Sequence, residues 1–147
     1  MANPKISWQV AEMFENNEEY IATRNYTEEG SFTKDQYIHK KIRVWNNYFG
    51  HSNVDDASDC NLVMAFKNYE DNFLLHLINV KVDHQEWSYP IIDTDRGIIP
   101  MKDLSGLANN GSLANYENYC DIEFRIGPLP ANMRCELKSL YFYIEHK

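Results

Sequence analysis

Apolar and polar residues alternate along much of this chain with a period of two, the spacing that sends successive side chains to opposite faces of a strand. Around position 43, Ile42 and Val44 share one face while Arg43 and Trp45 share the other. Leu62, Met64 and Phe66 alternate in the same way, as do Ile78, Val80 and Val82. The pattern is cleanest where Ile122, Phe124 and Ile126 oppose Asp121, Glu123 and Arg125. Near the end, Leu140, Phe142 and Ile144 oppose Tyr141, Tyr143 and Glu145. Each segment reads as a half-buried antiparallel strand. Shorter strand candidates are Ile6–Val10, Tyr20–Thr23, Tyr37–His39 and Ile91–Ile92. The segment Glu12–Glu19 is too short and too rich in Asn and Glu to predict a helix.

Turn-forming residues separate these segments at 46–59, 93–97, 105–112 and 127–132. There is no internal repeat, low-complexity tract or linker, so the 147 residues predict one all-β domain. Strands with one apolar face must bury it, and two such sheets packed together give an antiparallel β-sandwich. A jelly-roll-like topology is the first expectation and an immunoglobulin-like Greek key the second. Period alone does not separate them.

Composition narrows the function classes. A net charge of −8 argues against a general nucleic-acid binder, which neutralises phosphates with Lys and Arg. It also argues against anionic membrane surfaces, and no apolar stretch approaches a membrane span or a signal peptide. The three cysteines, Cys60, Cys120 and Cys135, form no CxxC pair, and an odd count fits packed thiols in a reducing compartment. Aromatic residues make up 14% of the chain, with ten tyrosines. Ordinary strand propensity accounts for that content; an adhesive surface is the sharper reading.

No motif supplies catalytic or cofactor chemistry. The five histidines are scattered, without zinc-ligand spacing. The sequence GLANNGS is not a phosphate-cradling loop but a tight turn in which Asn and Gly take positive φ. Asp55, Asp56 and Asp59 cluster in one loop, and Asp93, Asp95 and Asp103 in another region. Ca²⁺ needs six to eight oxygens. These aspartates are weak candidates beside their ordinary role as turn caps, and the expectation is no metal and no cofactor.

Arg43, Trp45, Glu123, Arg125, Tyr141 and Tyr143 all lie opposite expected core residues. If their strands are neighbours, they form a mixed aromatic and charged platform on one sheet. Tyr, Trp and Arg are the favoured anchors of protein interfaces. The same rings suit stacking on sugars, or burial beneath a loop.

The stretches KKIRVWNNYFG, CNLVMAFKNYEDNFLL, DLSGLANNG and LKSLYFYIEHK resemble small β-sandwich structural proteins of tailed bacteriophages, from the tail, baseplate or neck. The resemblance implies a non-enzymatic virion subunit, made in the host cytoplasm and repeated symmetrically among other virion proteins. It carries over no functional residues. A carbohydrate-binding module, such as a host-receptor binder, is the alternative, and a small hydrolase on a sandwich scaffold a third reading.

Overall fold

The computed structural model describes residues 2–14, 17–23, 27–33, 38–67, 69–128 and 134–147. Its ten strands are β1 (Ile6–Phe14), β2 (Asn17–Thr23), β3 (Thr27–Thr33), β4 (Ile38–Asn46), β5 (Asn61–Phe66), β6 (Ile78–Val82), β7 (Ile91–Asp93), β8 (Arg96–Pro100), β9 (Tyr119–Ile126) and β10 (Arg134–Glu145). A 3-10 helix, Tyr69–Leu77, joins β5 to β6. The strands form two five-stranded sheets, in the orders β2-β1-β4-β9-β6 and β3-β10-β5-β8-β7. Every pairing within them is antiparallel. The chain is all-β, as its period predicts.

The apolar faces of β1, β4, β5, β6, β8, β9 and β10 build the core. From the first sheet come Trp8, Ile42, Val44, Val80, Ile122, Phe124 and Ile126; from the second come Leu62, Met64, Phe66, Leu140 and Phe142. The sheets meet where the rings of Phe124 and Phe142 pack 4.8 Å apart. Leu74 and Leu75 of the 3-10 helix join the same cluster. That helix was not predicted, because its residues share no periodic face.

Two differences from expectation bear on function. The described residues of the segment 12–19 lie in β1 and β2, which pair antiparallel in register from Trp8 opposite Thr23 to Phe14 opposite Asn17. Strand β8 begins inside the stretch assigned to a turn. Gly97, facing Met64 and packed against Pro90, leaves no room for a Cβ, which would lie 2.9 Å from the proline.

At one end of the sandwich the loops after β4 and after β8 lock together. Asn46, Asn47 and Asn118 are buried there and satisfy loop carbonyls that no strand reaches. Asn46 Nδ2 donates to the carbonyls of Asp55 and Leu104 at 3.0 Å each. Asn47 Nδ2 donates to Ser52 at 2.8 Å and Gly106 at 2.9 Å, and Asn118 Nδ2 to Ser105 and Leu107 at 2.9 Å each. We call this end the loop pole.

Candidate functional site

Register brings four of the six platform residues together. On the outward face of the first sheet, β4 sets Lys41, Arg43 and Trp45 opposite Glu123, Asp121 and Tyr119 of β9. Arg43 Nε donates to Asp121 Oδ1 at 2.6 Å. Its guanidinium lies 3.8 Å from the centre of the Tyr20 ring and 5.1 Å from that of Tyr119. A charge taken out of water needs such a partner, and the planar guanidinium suits flanking rings. Arg43 is only 6% exposed. Burial, followed by the Asp121 charge, raises both phenol pKa values, while Arg43 pulls them back.

Trp45 points outward as its position predicts, yet it is 1% exposed. Its Nε1 donates to Gln9 Oε1 at 2.8 Å, and its ring packs 4.7 Å from both Tyr48 and Tyr119. Trp45 and Arg43 are therefore supports beneath the surface. Glu123 is bonded to His39 at 2.6 Å. Arg125 lies over the Trp87 ring at 4.3 Å, and that ring meets His39 edge-on at 6.0 Å.

The other two residues do not join them. Tyr141 and Tyr143 lie on β10, in the second sheet, and stack on one another at 6.0 Å. The Tyr143 hydroxyl accepts from Arg96 Nη1 at 3.2 Å, and Arg96 also bonds Glu145 at 2.6 Å. The expected single platform is thus split between opposite sides of the sandwich. The reason is topological: β9 and β10 are consecutive, but the connection between them changes sheets.

Exposed rings gather at the loop pole, although Tyr69 and Phe73 of the 3-10 helix and Tyr89 are exposed elsewhere. Tyr48 is 42% exposed, Phe49 54% and Tyr116 64%, with Leu107 and Leu113 also exposed. Phe49 has φ 56° and Asn47 φ 58°. For a bulky residue that conformation is strained and persists only where the surroundings impose it. Here the Phe49 N–H donates to Asn109 Oδ1 at 3.1 Å, while Asn109 Nδ2 donates to the Asn47 carbonyl at 2.8 Å. The ring rests on Gly111, where a Cβ would sit 2.5 Å from Phe49 Cδ2. Tyr48 lies 6.1 Å from Phe49, and Phe49 lies 6.4 Å from His51. A continuous column of rings therefore runs from Tyr119 through buried Trp45 and Tyr48 to Phe49. Tyr48 and Phe49 carry no signal in the apolar alternation, because they fall in a polar turn. The signal was the flanking Asn46-Asn47 and Gly50, residues that tolerate or relieve a left-handed backbone.

The aspartates act as loop ties. Asp56 Oδ1 accepts from the Gly106 N–H at 2.8 Å, and Asp103 Oδ1 from the Asp59 N–H at 2.9 Å. Asp93 pairs with Arg96 at 3.6 Å, and Asp95 lies in the adjoining turn. Among the described residues, no group of three or more His, Cys, Asp or Glu is placed to hold a metal ion. Burial pushes the Cys120 thiol up to about 12 and raises that of Cys60, so neither supplies a thiolate near neutral pH. No described helix is long and apolar enough to cross a membrane. No protein family, curated protein or solved structure matches the chain at a significant level.

Proposed function

We propose that this chain is a non-enzymatic assembly subunit that binds another protein through its loop pole, with Tyr48 and Phe49 as the anchoring side chains. The observation that carries this reading is the strained, hydrogen-bonded presentation of an exposed phenylalanine. A ring fixed in place before binding gives up little conformational entropy on contact, and buried aromatic anchors dominate interface energetics. The resemblance to tailed-phage structural proteins supplies the kind of assembly, a virion subunit contacting other virion proteins. On this reading the subunit is repeated symmetrically among the other virion proteins.

Phe49→Gly tests it, because glycine accepts the positive φ without strain while deleting the ring. The variant is expected to melt at or slightly above the parent temperature. It should also be lost from purified particles, since an anchor truncation costs about 2 kcal/mol or more of binding. Incorporation equal to the parent's would sink the reading. Normal incorporation with loss of binding on a glycan array would favour the carbohydrate-binding alternative.

A further inference from the structure

We propose that Asn110 is a self-modification site: its side chain cyclises onto the Gly111 backbone nitrogen, and hydrolysis then leaves aspartate or isoaspartate in the loop that seats Phe49. Asn110-Gly111 is the single Asn-Gly step in the sequence. Glycine lets the nitrogen approach without a Cβ in the way, and the five-membered ring that forms has the advantage of any well-placed intramolecular reaction.

The hydrogen bonds at Asn110 are placed to polarise the carbonyl that is attacked. Asn110 is exposed on the loop pole. Its Oδ1 accepts from the Ser112 N–H at 3.1 Å and from Asn115 Nδ2 at 2.7 Å. Both donors point at the oxygen that gains negative charge as the nitrogen adds to Cγ, as in an oxyanion hole. The Gly111 N–H donates to Asn109 Oδ1 at 3.0 Å, so this bond must open before hydroxide can take the proton. The reaction therefore accelerates with pH.

The chemistry balances with water alone. A bond forms between the Gly111 nitrogen and Asn110 Cγ, the bond from Cγ to Nδ2 breaks, and ammonia departs. Water then opens the cyclic imide. Cleavage at Cγ gives aspartate, and cleavage at the main-chain carbonyl gives isoaspartate; neither oxidises nor reduces anything.

The two products differ in what they do to the pole. Aspartate keeps the backbone, and its carboxylate can still accept from Ser112 and Asn115. Isoaspartate inserts an extra methylene into the main chain just before Gly111. That glycine lies directly under the Phe49 ring, and Asn109 Oδ1 ties both backbone N–H groups together. The isoaspartate form therefore unseats Phe49. Only the effect of that change on binding rests on the assembly reading; the modification itself does not.

The test ages the folded full chain at neutral and mildly alkaline pH, then maps the tryptic peptide from Asp103 to Arg125 by fragmentation mass spectrometry. A one-dalton gain is expected at Asn110 before any other asparagine, rising with hydroxide concentration and missing from Asn110→Gln. Ion exchange then separates the products. The isoaspartate fraction should lose incorporation into particles, whereas Asn110→Asp should keep it. An unchanged Asn110 in folded protein, under conditions that convert the unfolded chain, would overturn the site. An isoaspartate fraction that incorporates normally would overturn the unseating, while the mass gain would still stand if Phe49→Gly showed the assembly reading to be wrong.

Discussion

On the first sheet, the outward side chains Arg43 and Trp45 lie packed beneath Tyr20, Tyr48 and Tyr119. On the second sheet, outward Tyr141 and Tyr143 stack on each other and remain half-buried. Both sets occupy the same phase of the alternation. The difference comes from what else reaches them. A tyrosine from the neighbouring hairpin and another from the loop pole close over the first face. On the second, Val63 is fully buried in register between Tyr143 and Ile98, so the long side chains shelter a short one. Alternation thus tells which side of a sheet a residue takes, whereas depth depends on segments distant in sequence.

The largest effect that sharpens this contrast is at Trp45. Trp45→Ala should cost about 3–5 kcal/mol, the range for emptying a buried aromatic site. Tyr143→Ala should cost about 1 kcal/mol, the typical single-mutant value. Equal losses in denaturant titrations would mean that cover is not what distinguishes the two faces.

Next comes the ion pair under the tyrosines. Asp121→Asn leaves the Arg43 charge buried without its counter-ion and should cost about 2 kcal/mol, less than a fully dry pair because the Asp121 side chain keeps 18% of its exposure. Arg43→Met removes the charge along with its need for a partner and should stay within about 1 kcal/mol of the parent. The order of the two melting temperatures checks this; a more damaging Arg43→Met would reverse the account.

A smaller effect should follow from raised acid pKa values. Cys120, Tyr20 and Tyr119 hold their protons more tightly in the folded chain. Their contribution is complete below the unfolded values of 9.0 for the thiol and 10.0 for the phenols. It is lost as pH rises, because the unfolded chain ionises first. Stability should therefore begin to fall above about pH 9, and Cys120→Ser should flatten the first part of that decline. An identical profile in the variant would remove Cys120 as a cause. Smallest of all, Glu123→Ala should change stability by less than about 0.5 kcal/mol, because its partner His39 is largely exposed. A loss as large as that at Asp121 would show that the whole face acts as one network.

Much of the sheet architecture was legible beforehand. The core residues of β4, β5, β6, β9 and β10 follow directly from their period of two, and each is buried on the expected face, with Ile144 partly so. Strand β3 was not legible, because Thr27–Thr33 carries Glu28, Glu29 and Gly30 and shows no apolar alternation. Strand order was not legible either, since period carries no information about which strands pair. A single platform required its strands to be neighbours, and β10 lies in the other sheet from β4 and β9. Tyr37 and the turn at 129–132 lie outside the described residues. At the loop pole, Gly111 has the positive φ expected of GLANNGS, with φ 75°, while the left-handed asparagine is Asn47 in the facing loop.

Apart from the hairpins β1–β2 and β7–β8, every step along the chain changes sheets. Strands that lie side by side are therefore made far apart in time. Among the described strands β3 pairs with β10 alone, so everything from β4 to β9 must be synthesised before it finds that neighbour. Such distant pairings put folding in the range of about milliseconds to seconds, the slow end for small domains. Until β10 arrives, β5 also lacks the partner on one of its flanks, and its backbone offers an open edge to any other nascent chain. This architecture leaves the chain most open to mispairing before its last described strand is in place.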